Sequence, residues 1–178
     1  LSDVLRPEDI ESAIERWNKA KSDFTQTLDL HLVDIGKGTA TMRMPFRPQV
    51  RNGAGAVHGG AIVSLCDTAF WVALASIFGP TQPTATTSLT CSFLRPALPP
   101  HDLIARATVL KPGKRIVYGE VHVYSGEKLV AHATLSFLNT PVDEARGWNP
   151  VRHRSALIPQ SEGEPEIAPA TGTDGSLR

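Results

Sequence analysis

Two features of residues 52 to 79, NGAGAVHGGAIVSLCDTAFWVALASIFG, are out of keeping with an otherwise apolar helix: the opening His58-Gly59-Gly60 and a single carboxylate, Asp67. Two glycines are costly inside a helix but cheap at its start, where four backbone N–H groups lack partners. Gly59 and Gly60 carry no side chain to cover those donors, and the helix dipole adds partial positive charge, so the turn suits an anion or a developing oxyanion. A glycine-rich entry needed only for close packing has the same pattern. Asp67 weighs against that plainer reading. An ionised carboxylate buried in an apolar helix costs several kcal/mol unless it is paired, and no Lys or Arg lies between Arg51 and Arg95. A protonated or water-satisfied aspartate, or one bonded to Thr68 or a neighbouring strand, would be the structural alternative; isolated carboxylates of this kind concentrate in active sites.

Spacing sharpens the expectation. Gly60 and Asp67 lie seven residues apart, nearly on one helix face but separated by about 10.5 Å along the axis at 1.5 Å per residue. A single carbonyl does not reach both. Two such helices packed antiparallel about a two-fold axis would set each N-terminus beside the other's Asp67, giving two composite sites.

The elements that must hold these groups can be read from hydrophobic period. Ile10, Ala13, Ile14 and Trp17 predict an amphipathic helix over 7–21, behind the acids Glu8 and Asp9. Alternation from Phe24 through Leu30, a Gly36-Lys37-Gly38 turn and the run TATMRMPF predict a β-hairpin. A loop over 45–56 leads into the long helix, about residues 59–78, which stops at Gly79-Pro80. Four runs of strand character follow, 84–95, 102–111, 114–125 and 128–138, and their short connections predict antiparallel neighbours. Residues 139–178, rich in Pro and Gly, are expected to form a poorly ordered tail, leaving 1–23 as an N-terminal helical segment and 24–138 as the domain.

The apolar run is long enough to raise the question of a membrane span, but Asp67 at its centre and six strands in need of cover argue for a soluble fold. A helix apolar all round needs protein on nearly every side. The expectation is an α+β fold in which one curved antiparallel sheet wraps a long central helix.

Composition narrows the function. Lys+Arg and Asp+Glu both number 18 in 178 residues, which gives no reason to expect a nucleic-acid or acidic-membrane binder. Cys66 and Cys91 form no CxxC pair, and the charged N-terminus has no apolar run of the signal-peptide kind, so a reducing, cytoplasmic setting is expected. GxSxG and Walker-type sequences are absent. His31, His101, His122, His132 and His153 are scattered; His122 and His132 could approach one another across Gly126, but no Asp, Glu or Cys is expected to complete a metal set, and no metal site is expected.

The pattern Asn52-x5-His58-Gly59-Gly60-x6-Asp67, followed by Phe93-Leu94-Arg95-Pro96-Ala97, resembles the PaaI-like hot-dog thioesterases over about residues 24–138. The resemblance implies a hot-dog fold, homodimers that usually pair into tetramers, and hydrolysis of acyl-CoA without a cofactor. By that likeness the Gly60 N–H would polarise the thioester carbonyl, with Asn52 and His58 shaping the pocket. Asp67 of the opposing subunit would activate water or attack the carbonyl itself, and Thr86 would assist the water, although Thr87 and Ser88 leave its register open. Lys111, Lys114 and Arg115 around Pro112-Gly113, with Arg95, would hold the CoA phosphates. Two other functions are compatible with the fold: a non-catalytic acyl-CoA sensor or carrier, and an acyl-thioester hydratase or dehydratase, against which the HGG-x6-D spacing argues. Phe70, Trp71 and Phe78 are candidates for an acyl pocket or for plain core.

Overall fold

The computed structural model describes residues 7–140; the expectations for the tail over 141–178 and for His153 lie outside the described residues. The chain order is α1 (Pro7–Lys19), α2 (Asp23–Thr27), β1 (His31–Gly36), β2 (Thr39–Met44), α3 (Gly59–Phe78), β3 (Thr84–Phe93), β4 (Leu103–Pro112), β5 (Ile116–Ser125) and β6 (Lys128–Asn139). The six strands form one antiparallel sheet in the order β1-β2-β4-β5-β6-β3. Its concave face wraps α3, which gives the α+β arrangement expected from the sequence.

Alternation decides which strand residues meet the helix. Val117, Val121, Val123, Ala131, Ala133, Leu135 and Phe137 are buried beneath α3, while the residues between them face away. On the helix, Leu65, Cys66, Ala69, Phe70, Ala73 and Leu74 fill the other half of the core. Phe70 stacks obliquely on Phe137, with ring centroids 5.3 Å apart, and sits so close to the sheet at Gly119 that a Cβ there would collide with its ring. Helix α3 is long and apolar enough to cross a bilayer by composition. Its buried flank makes it the core helix of this domain.

Three expectations are corrected. Residues 23–27 are a helical turn and not the start of a strand: Ser22 caps it, its Oγ accepting from the Thr25 N–H, and Thr25 Oγ1 donates to the Ser22 carbonyl. Local capping by hydroxyls outweighs a short alternation, and Phe24 at 58 % exposure shows that no sheet lay behind it. Next, β3 does not pair with β4 across Pro96–Pro100 but with β6, at the far edge of the sheet. The 94–102 connection instead crosses under the start of α3, tied to it by the Val57 N–H donating to the Ala97 carbonyl at 2.9 Å. Finally, α3 is not enclosed on nearly every side. A stripe through Gly60, Ser64, Asp67, Thr68 and Trp71 remains exposed or half-exposed, beside an edge strand β3 whose residues are mostly exposed.

The opposite edge is protected by the chain itself. Ile10, Ala13, Ile14 and Trp17 lay α1 on the core, and Asn18 both donates to the Leu32 carbonyl and accepts from the Leu32 N–H, each at 3.1 Å.

Candidate active site

The two halves of the site occupy different levels of α3. At its N-terminus His58 is the cap: its Nδ1 accepts the Gly60 N–H at 2.9 Å, and its carbonyl accepts from the N–H groups of Ala61 and Ile62. The Gly60 donor, expected to be open, is therefore held by the His58 imidazole. The Gly59 N–H has no hydrogen-bond partner among the described residues. Gly59 also lacks a Cβ where one would come within 3.1 Å of the Phe93 ring, so the helix start can approach the end of β3.

Beside this turn lies an open cleft of about 330 Å³, lined among others by Asn52, Gly59, Phe93, Arg95 and Pro96. Asn52 is fixed by its loop, its Oδ1 accepting from the N–H groups of Ala54 and Ala56 at 3.0 and 3.2 Å. With the oxygen so engaged, its amide nitrogen is the group left to donate elsewhere. Arg95 is steadied by donating to the Leu129 carbonyl at 2.8 Å.

Two helical turns further on, Thr86 Oγ1 donates to Asp67 Oδ1 at 2.8 Å. Asp67 is thus half-buried rather than buried, and it has a partner on the neighbouring strand. A bulge in the β3–β6 pairing between Thr86 and Ser88 sets this register. Thr87 turns away, its Oγ1 donating to the Ser136 carbonyl, and Thr68 donates to the Ser64 carbonyl rather than to Asp67. Of the three adjacent hydroxyls on β3, Thr86 is the one brought to the carboxylate.

Cys66 and Cys91 link the same helix and strand. The hydrogen bond with Cys91, then burial, then the charges of Cys91 and Asp67 push the Cys66 thiol far up, whereas the bond with Cys66 lowers Cys91 against the effect of its own burial. Cys66, adjacent to Asp67, is therefore a protonated packing group and not a nucleophile.

The basic residues expected together are split. Lys111, Lys114 and Arg115 are exposed around the β4–β5 turn, which neighbours the start of β3 through Asn139, whose N–H donates to the Arg115 carbonyl. Arg95 follows the other end of β3, about 30 Å away along ten strand residues. Among the aromatic candidates Phe70 is core, while Trp71 and Phe78 are half-buried. One cluster was missed: Glu120 stands with His122 and His132 on the outer face of the sheet, so the expectation that no acid completes that pair is corrected. The signal was present in the sequence, since Glu120 is two residues from His122 and hence on the same face of a strand.

The fold and its likeness to known proteins define a class, the hot-dog thioesterases. Residues 54–132 match the thioesterase superfamily model, and the acyl-coenzyme A thioesterase PaaI of Escherichia coli is 34% identical over 109 residues, 60% of this chain and 74% of that protein. The chain belongs to this superfamily, in its PaaI-like branch. A conserved protein of Pseudomonas aeruginosa superposes with a TM-score of 0.66 at 29% identity, over 70% of this chain and 98% of that one. The E. coli PaaI protein from the phenylacetic acid degradation operon superposes with a TM-score of 0.65 at 24% identity, over 73% and 93%, a likeness of fold. The curated relatives are matched over 62% to 74% of their own lengths.

Proposed function

We propose that the chain hydrolyses acyl-CoA thioesters to the free acid and CoA in a homodimer whose two sites are each shared between subunits. The observation that carries this reading is the Thr86–Asp67 pair on the open stripe of α3, well removed from the N–H donors of the same helix.

A two-fold axis through the midpoint of β3 would pair the exposed edge strand with its copy. Because α3 and β3 run in opposite senses, Gly59 lying at Phe93 and Asp67 at Thr86, such pairing would carry Asp67 and Thr86 toward the partner's Phe93 and Gly59. It would also bring Arg95 toward the partner's β4–β5 turn, reuniting the divided basic residues Arg95, Lys111, Lys114 and Arg115 around a CoA phosphate group. An exposed ten-residue edge strand invites such pairing.

In this arrangement the thioester carbonyl displaces His58 from the Gly60 N–H, and the donors at Gly59 and Gly60 stabilise the oxyanion, with the Asn52 amide lining the same cleft. Asp67 either takes a proton from a water whose oxygen attacks the carbonyl carbon as the CoA thiolate leaves, or itself attacks that carbon to form an acyl-aspartyl anhydride with loss of the CoA thiolate, which water then hydrolyses to the free acid and the Asp67 carboxylate; Thr86 holds Oδ1 so that Oδ2 faces the reactant. Dimers of this kind could pair again into tetramers, and a reducing cytoplasm would suit the free cysteines.

Thiol release from a panel of acyl-CoA esters tests the reading. Asp67→Asn is expected to lower kcat by about 10²–10³-fold while the dimer stays folded. Near-normal turnover in that variant, or ligand binding without thiol release by the wild type, would overturn it.

A further inference from the structure

We propose that Glu120, His122 and His132 form a divalent transition-metal site, with zinc as the fitting ion, on the face of the sheet turned away from α3. One ligand atom from each of the three residues lies within 4.8 Å of those of the other two. His132 Nε2 is 3.1 Å from Glu120 Oε2, and the His122 and His132 rings stand 4.7 Å apart, centroid to centroid, tilted by 46°. Bonds of about 2.0–2.1 Å in tetrahedral geometry put ligand atoms roughly 3.3 Å from one another. The Glu120–His132 pair already has that spacing, and small side-chain rotations bring in His122.

The backbone makes the arrangement stiff. His122 and His132 are direct cross-strand partners on β5 and β6, and Glu120 is two residues before His122, so strand alternation sets all three on one face. The residues are half-buried, enough to limit side-chain freedom without closing access. The cation opposite His122 in the register, Arg106, stacks its guanidinium over the Tyr124 ring at 5.0 Å. Thr108 and Thr134, the register neighbours of Glu120, are neutral. Two imidazoles, which are borderline donors, beside a single hard carboxylate favour zinc, nickel, copper(II) or cobalt(II) over calcium and magnesium.

Three protein ligands leave one coordination position for water. The intervening sheet separates the site from Asp67 and Thr86, so the ion's role is to cross-link β5 and β6 rather than to take part in thioester chemistry.

The test uses the full chain, freed of metal with chelator, titrated with zinc chloride by calorimetry and with cobalt(II) chloride by visible absorption. Expected are one equivalent bound, an intensified cobalt band of tetrahedral type, and a Tm that rises with zinc. Glu120→Gln and His122→Ala should each weaken zinc binding by about tenfold or more, and the His122→Ala/His132→Ala double variant should lose the cobalt band, with unchanged circular dichroism. Zinc bound equally well by the double variant, or no heat and no Tm change at about 100 µM zinc, would overturn the assignment.

Discussion

Thr86 Oγ1 donates to Asp67 Oδ1 at 2.8 Å, joining the edge strand β3 to the exposed stripe of α3. Of the neighbouring hydroxyls Thr86, Thr87 and Ser88, it is Thr86 that bonds the carboxylate, and the bond gives the carboxylate a fixed orientation. Hydrogen bonds to charged groups are worth about 1.5–3 kcal/mol. Thr86→Val is therefore expected to lower kcat by roughly 10–100-fold with little change in KM, and Thr86→Ser to restore most of it. Steady-state kinetics on the two variants checks this; an unaffected kcat in Thr86→Val would remove Thr86 from the mechanism.

His58 is a helix cap before it is anything else, since its Nδ1 holds the Gly60 N–H. His58→Ala should cost about 0.5–2 kcal/mol of stability. His58→Asn, a residue preferred at this position, should recover most of that loss in a thermal melt. Equal Tm values for wild type and His58→Ala would show that the imidazole does not cap the helix.

Asp102 ties the start of β4 to the end of β2, accepting from Arg43 Nη1 at 2.8 Å and from the Phe46 N–H at 3.0 Å. Burial alone would raise its pKa; the Phe46 and Arg43 hydrogen bonds and the charges of Arg43 and His31 outweigh that and hold it below the usual 3.8. A carboxyl lowered in the folded state contributes stability above its unfolded pKa and loses it as pH falls through the folded value. The pair is more than a third exposed, so screening keeps the effect to about 1 kcal/mol. Asp102→Asn should lower Tm by about 2–4 °C at pH 7, and the gap should close as pH falls below 3.8. A gap that widens in acid would contradict the assignment.

The sequence carried the long helix, its HGG opening and the strand character of β3 to β6 because each rests on a local period or on glycine placement. Asp67 was legible as anomalous, and Thr86 as one hydroxyl among three. What escaped needed information across the fold. The α2 turn depends on Ser22 and Thr25 bonding their own backbone, and the same short run alternates well enough to imitate a strand. The edge position of β3 depends on pairing with β6 rather than on the short 94–102 connection. The separation of Arg95 from Lys111, Lys114 and Arg115 follows from that strand order. Glu120 is the exception, since its two-residue spacing from His122 on one strand is legible in the sequence itself.

Subunit complementation distinguishes sites shared between subunits from sites within one chain. Asp67→Ala removes the carboxylate, and Gly60→Pro removes the backbone donor at a first-turn position where proline is tolerated. Each homodimer should be folded and nearly inactive. Co-refolding equal amounts gives about half mixed dimers, each with one intact and one doubly altered site, so thiol release from acyl-CoA should recover to about a quarter of wild type. Recovery near zero in a preparation shown by mass spectrometry to contain mixed dimers would contradict the account, since it would mean that Asp67 and Gly60 act within one chain.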